Sequence, residues 1–338
     1  MISGLSKLYK AASLGVLRDR TWECIRRFDP GVGIRPLTWP LADDLRNRLT
    51  VLWPRSYSWA HADKWLCTIR AGLNEHVPLH LTDICQPEGT KVRLLFRFDK
   101  NIYPVIIDYS DYIPADELLA NNSMLYFKMQ FSSLGYNSSK IVPGGYVPND
   151  QALYRYLHYL RRFSGRQSPI FEVYGRFGVK TGGQKRKNAL ELLNGQSCFT
   201  YFSGNGRFVR YSRFLREAVQ ARVVIDLPGN GDLCFRLVDY LAIGACVISP
   251  EHSVVLHVPL EHRKHVHFCR PNLSDFLDSC LFYLDNDDAR LELRKNSHEF
   301  FMRYLHRTQL GSYYLHKFLV TLENKNEDSI CHSLFTAD

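Results

Sequence analysis

At 338 residues the chain exceeds one typical core, and its 45% apolar and 13% aromatic content excludes a disordered polymer. A net charge of +9 calls for an anionic partner, but the basic residues are dispersed and no zinc-finger, homeodomain or RNA-recognition signature joins them, which argues against nucleic acid. Nine cysteines, an odd count without a CxxC pair, make neither a zinc site nor a disulfide framework.

No apolar run approaches the ~18 residues of a membrane span. Residues 1–20 lack the pattern of a cleavable signal and read as an amphipathic helix, with Leu5, Leu8 and Leu17 opposite Lys7, Lys10 and Arg18. Such a helix suits peripheral contact with a membrane or, more plainly, packing on the protein's own body. With the unpaired cysteines, this predicts a reducing, cytoplasmic setting. Residues 39–45 read as a loop and a helix start with Asp43 or Asp44 as cap, and residues 61–66 open another helix. Nothing else before residue 90 carries chemistry by spacing.

From Lys91 the pattern changes. Residues 92–98 and 103–107 read as two strands joined through Asp99-Lys100-Asn101, a hairpin. It delivers Asp108 and Asp111 to a strand end, where polar side chains often serve a site. Either carboxylate suits a general base, and either suits a cap for the following turn. Residues 124–131 form an apolar run with Lys128 and Gln130 as its polar members. The prolines and paired glycines of 141–150 mark a crossing between an N-terminal domain (1–145) and a C-terminal one (146–322). The remainder, 323–338, is a polar tail expected to fray.

The second half alternates strand and helix. A strand at 169–174 precedes a glycine-rich basic loop holding Arg176 and Lys180, a type of loop that can bind anionic oxygens. Lys185-Arg186-Lys187 then reads as surface charge opening a helix. After a strand at 198–202 and a helix at 211–220 comes the most informative stretch, 221–250. Val223-Val224-Ile225 is a buried strand, Gly229-Asn230-Gly231-Asp232 a flexible loop, and Leu233 to Ala242 a helix stopped by Gly244 ahead of the strand Cys246-Val247-Ile248. Arg236 and Asp239 stand near the helix start, where unpaired N–H groups and the dipole favour phosphate; the alternative is that the two pair on the helix surface. Residues 267–269 form a further strand, and helices at 275–284, 287–305 and 311–322 complete the pattern of a parallel sheet covered on both faces. Five histidines between 252 and 267 match no zinc spacing and read as a loop-rich surface cluster.

These residues carry a resemblance. The Gly175-Arg176-Phe177-Gly178 loop, the Arg186 helix, Tyr211-x-x-Phe214-Leu215-x-x-Ala218, the Gly229–Asp232 loop and Arg236-x-x-Asp239-x-Leu241-Ala242-x-Gly244-x-x-Val247-Ile248 occur in an order that resembles the donor-binding half of GT-B glycosyltransferases. Within that superfamily the pattern is most similar to the protein O-glucosyltransferase and capsule-associated glycosyltransferase group. The stretch from His267 to Asp275, the turn at Asn286 and the Tyr313-Tyr314 helix extend the likeness, which spans 169–322.

The resemblance implies an α/β, GT-B-like fold of two Rossmann-like domains facing a cleft. It implies a hexosyl- or pentosyltransferase that moves a sugar from a nucleoside diphosphate, a UDP-sugar foremost, to a hydroxyl of a glycan, lipid-linked saccharide or protein. No cofactor or metal is implied. Arg236 would contact the diphosphate, the Gly229–Asp232 loop would approach it through backbone N–H groups, and Arg176 and Lys180 would add charge. Asp239 stands where many GT-B enzymes place a glutamate on the donor's ribose or sugar, while Gly231 replaces their earlier acidic partner and Asp232 lies one position off. Asp111 or Asp108 would be the base. The alternative is a non-catalytic nucleotide- or glycan-binding protein on the same fold.

Overall fold

The computed structural model describes residues 36–59, 62–84, 89–164, 169–178, 183–204 and 209–335. Within them the chain builds two α/β units. The first contains α1 (Leu45–Arg48), β1 (Leu49–Pro54), α2 (Asp63–His76), β2 (Leu79–Thr82), β3 (Lys91–Phe98), β4 (Asn101–Asp108), α3 (Glu117–Asn121), β5 (Leu125–Lys128), β6 (Phe131–Ser132) and β7 (Ile141–Pro143). Its sheet runs β2-β1-β3-β4-β5-β7. The expected hairpin is present, closed by Asp99 and Lys100 with Asp99 at φ 51°. That tight connection makes β3 antiparallel to β4; β3 also runs antiparallel to β1, so the sheet is mixed, while β4, β5 and β7 run parallel.

The second unit contains α4 (Leu153–Ser164), β8 (Phe171–Tyr174), α5 (Gly183–Gly195), β9 (Tyr201–Phe202), α6 (Tyr211–Val219), β10 (Ala221–Ile225), α7 (Phe235–Ile243), β11 (Val247–Pro250), β12 (Val254–Val255), β13 (His267–Cys269), α8 (Phe276–Asp285) and α9 (Asp287–Phe300). Strands β13-β11-β10-β8-β9 form a wholly parallel sheet. Successive residues of β10 enter different cores: Val224 packs with Leu215 and Leu241, and Val223 and Ile225 with Leu193 and Phe276. Two apolar faces explain the unbroken β-branched run. Gly244 ends α7 in the left-handed region at φ 65°, as its position predicts.

After α9, a π-helical turn at Phe301–Leu305 leads into α10 (Arg307–Phe335), which crosses back onto the first unit along α2. The helix runs on through the stretch expected to fray. At the crossing a Cβ on Gly311 would lie 2.4 Å from the backbone of Gly72, so glycine at both positions permits the approach. The units are further joined where β6 pairs with β12, and where Tyr313 and Tyr314 donate to the carbonyls of Pro143 and Gly144 at 2.7 and 2.8 Å. The result is two α/β units facing one cleft, the first built on a mixed sheet and the second on a parallel one. Among the described residues no helix is long and apolar enough to cross a membrane; residues 1–20 lie outside the described residues.

Candidate functional site

A cavity of about 750 Å³ opens between the units, within the usual span of roughly 300–1,000 Å³ for small-molecule sites. Its walls are the loops following β4, β8 and β10 and the first turn of α7. These are carboxyl ends of strands, where open α/β sheets bind ligands.

Arg236 anchors the second-unit wall, but not through the partner its helix spacing suggests. Its Nε donates to Oδ1 of Asp226 at 2.9 Å and its Nη2 to the carbonyl of Leu227 at 2.7 Å, while its guanidinium carbon lies 4.8 Å from the Phe177 ring centre. The expected surface pair with Asp239 is absent: that carboxyl is buried and accepts instead from Tyr211 and Asn149. The remaining nitrogen, Nη1, has no hydrogen-bond partner among the described residues. Cys234 precedes α7 without a side-chain cap, and no acidic residue occupies the first turn, which leaves the positive helix end facing the cavity.

The glycine loop meets the opposite unit. Gly229, Asn230 and Gly231 line the cavity, and a Cβ on Gly231 would lie 2.6 Å from the carbonyl oxygen of Asp111 and from Nε2 of Gln130. Gln130, an expected polar member of an apolar run, is fully buried; it donates to the carbonyl of Leu233 at 2.9 Å and accepts from the Leu233 N–H at 3.2 Å. Asp232 is drawn away to the β11–β12 connection, where Ser253 donates from its backbone N–H and Oγ at 2.7 and 2.6 Å, and it does not line the cavity.

Asp239 does line it. Its Oδ1 accepts from Tyr211 Oη at 2.6 Å and Asn149 N at 3.1 Å, and its Oδ2 is buried without a hydrogen-bond partner among the described residues. Burial pushes this carboxyl up to about 8, outweighing those hydrogen bonds. Arg176 also reaches the cavity, with its charge held by Glu217 through Nε at 2.6 Å and Nη2 at 3.1 Å. Lys180 lies outside the described residues.

Two residues escape sequence reasoning. Asp226 follows an apolar strand and passes for the start of a loop; the usable signal is a carboxylate at the strand end, ten residues before an arginine on the next helix. Arg186, expected as surface charge, is buried and ties Gly178 to Pro228 through carbonyl contacts of 2.7 Å each.

On the first-unit wall the paired carboxylates separate. Asp111 lines the cavity and accepts from Asn230 Nδ2 across it at 3.3 Å. Asp108 is buried beneath, off the cavity wall, where Lys128 Nζ donates at 2.9 Å, Tyr126 Oη at 2.6 Å and the Ser110 N–H at 2.9 Å. It caps the turn and holds a buried lysine, so it lacks the access a base requires. The histidine group is likewise not a surface cluster: His265 and His267 are buried, and His267 is bonded to Ser279 and Tyr283.

No protein-family model and no curated protein matches the chain. Among solved structures it is similar to a Listeria monocytogenes protein assigned as a UDP-N-acetylglucosamine 2-epimerase, at 9% identity over 82% of this chain and 75% of that one, with a TM-score of 0.35. A likeness of that depth identifies no activity, and the fold rests on the strand order above.

Proposed function

We propose that the protein is a glycosyltransferase that binds a nucleoside-diphosphate sugar, a UDP-sugar foremost, in the cleft. The observation that carries this reading is Arg236, fixed by Asp226 at an uncapped helix start with Nη1 left over on a cavity wall. A fixed guanidinium beside helix N–H groups suits the charge that develops on a leaving diphosphate. The Gly229–Gly231 backbone supplies close approach from the same side. Opposite stands Asp111, the accessible member of the carboxylate pair. In the proposed step an acceptor hydroxyl oxygen bonds to the anomeric carbon as the bond from that carbon to the diphosphate oxygen breaks. The hydroxyl proton passes to Asp111, and the diphosphate departs with the bonding electrons.

Release of UDP from a panel of UDP-sugars, measured with saccharide acceptors present, tests the proposal. Turnover by the native chain and its loss in Asp111→Asn are expected. Binding of UDP without turnover under any acceptor would leave a nucleotide-binding protein on the same fold.

A further inference from the structure

The diphosphate chemistry engages one wall and leaves the aromatic rim of the cleft without a task. Trp59 is 46% exposed and Tyr112 68% exposed, and both line the cavity mouth on the first unit. From Trp59 a run of rings leads inward. Trp59 meets Trp65 edge-on at 5.0 Å, Trp65 stacks on Phe235 at 4.3 Å with 17° between planes, and Phe235 lies 5.0 Å from Tyr146. Phe235 immediately precedes Arg236, so the strip ends beside the proposed diphosphate position. Rings this exposed at a cavity mouth mark a binding surface, since indole and phenol faces present rigid apolar area at little entropy cost.

Lys64 adds charge to this rim. It lines the cavity from the first turn of α2, makes no ion pair among the described residues, and its neighbour Asp63 is engaged by Arg70 at 3.2 Å. A cation at a helix start gains nothing from the helix dipole, so folding does not account for it. The arginines lining the cavity are engaged by Glu217, Asp226 or backbone carbonyls. One uncommitted ammonium beside exposed rings suits one acid group per bound sugar. Single-stranded nucleic acid instead requires a charged groove tracking its backbone.

We infer that this rim is an acceptor subsite for an acidic saccharide: Trp59 and Tyr112 take the apolar faces of the sugar rings, Lys64 takes a carboxylate, and the ring strip directs the acceptor toward Arg236 and Asp111. The subsite deepens the glycosyltransferase reading and rests on it. Calorimetric titration of the full chain with a uronate-containing tetrasaccharide and with its carboxyl-reduced neutral counterpart tests it. The acidic form is expected to bind up to about fivefold more tightly. Lys64→Gln should erase that preference, and Trp59→Leu should weaken both forms roughly tenfold, each with an unchanged UDP-induced melting shift. Equal affinity for the two saccharides in the native chain, or tighter binding of a single-stranded oligonucleotide at physiological salt, overturns the subsite. Loss of the UDP shift in the native chain, with saccharide discrimination intact, counts instead against the donor reading.

Discussion

Arg236 donates to Asp226 across 2.9 Å, and the acceptor's second oxygen is buried without a partner among the described residues. The pair fixes the guanidinium in one orientation. Arg236→Ala removes the cation but strands a buried carboxylate, at a cost of about 3–5 kcal/mol. Arg236→Lys is the sharper variant, because it keeps the charge and loses the planar fork. It is expected to fold, shown by a native-like melting transition, and to weaken UDP binding roughly tenfold or more by calorimetry.

The two buried carboxyls of this wall give a pH dependence of definite sign. Burial pushes Asp226 up to about 6 and Asp239 up to about 8, against an ordinary value of 3.8. Above the ordinary value the folded state holds these protons more tightly than the unfolded chain does. Their contribution to stability is therefore full below about pH 4 and is lost as pH rises, through about 6 for Asp226 and about 8 for Asp239. Melting temperature should fall by several degrees between pH 6 and pH 8. Asp239→Asn, which cannot ionise, should flatten that decline; an unchanged slope would place its cause elsewhere.

Gly231 and Gly311 both sit where a methyl group has no room. In Gly231→Ala the new Cβ would press on Asp111 and Gln130 of the opposite unit, and in Gly311→Ala on the backbone of α2. Each is predicted to cost about 1–3 kcal/mol in chemical denaturation. Only Gly231→Ala should also impair UDP binding, because only it reshapes the cavity wall.

Asp108 and Asp111 should respond oppositely. Asp108→Asn leaves Lys128 buried without its carboxylate and should lower stability by about 3–5 kcal/mol. Asp111→Asn should leave stability within about 0.5 kcal/mol and abolish transfer while UDP still binds. Transfer that survives Asp111→Asn would move the base elsewhere in the cleft.

The second unit was legible because its signals are local. Val223-Val224-Ile225 is apolar on both sides of a covered strand, and Gly244 stops α7 in a conformation glycine prefers. The first unit hid its outer strands. β1 buries Leu49, Val51 and Trp53 but carries Leu52 and Pro54 between and after them, which obscures the alternation. β2 is four residues long with no buried position, an edge strand without an apolar face to read. At the site, the spacing that brought Arg236 and Asp111 forward could not show what lay beneath them. Asp226, Gln130 and Arg186 matter through partners 8 to 103 residues away, contacts that hydrophobic periodicity does not encode. The same blindness made Asp108 resemble Asp111, although one is a buried counter-ion and the other faces the cleft.

A crystal structure with UDP bound tests the central claim most directly. The diphosphate is predicted to lie against Arg236 Nη1 and the first-turn N–H groups of α7, with the Gly229–Gly231 backbone alongside. A diphosphate bound away from Arg236, or no UDP bound at saturating concentration, would contradict the account.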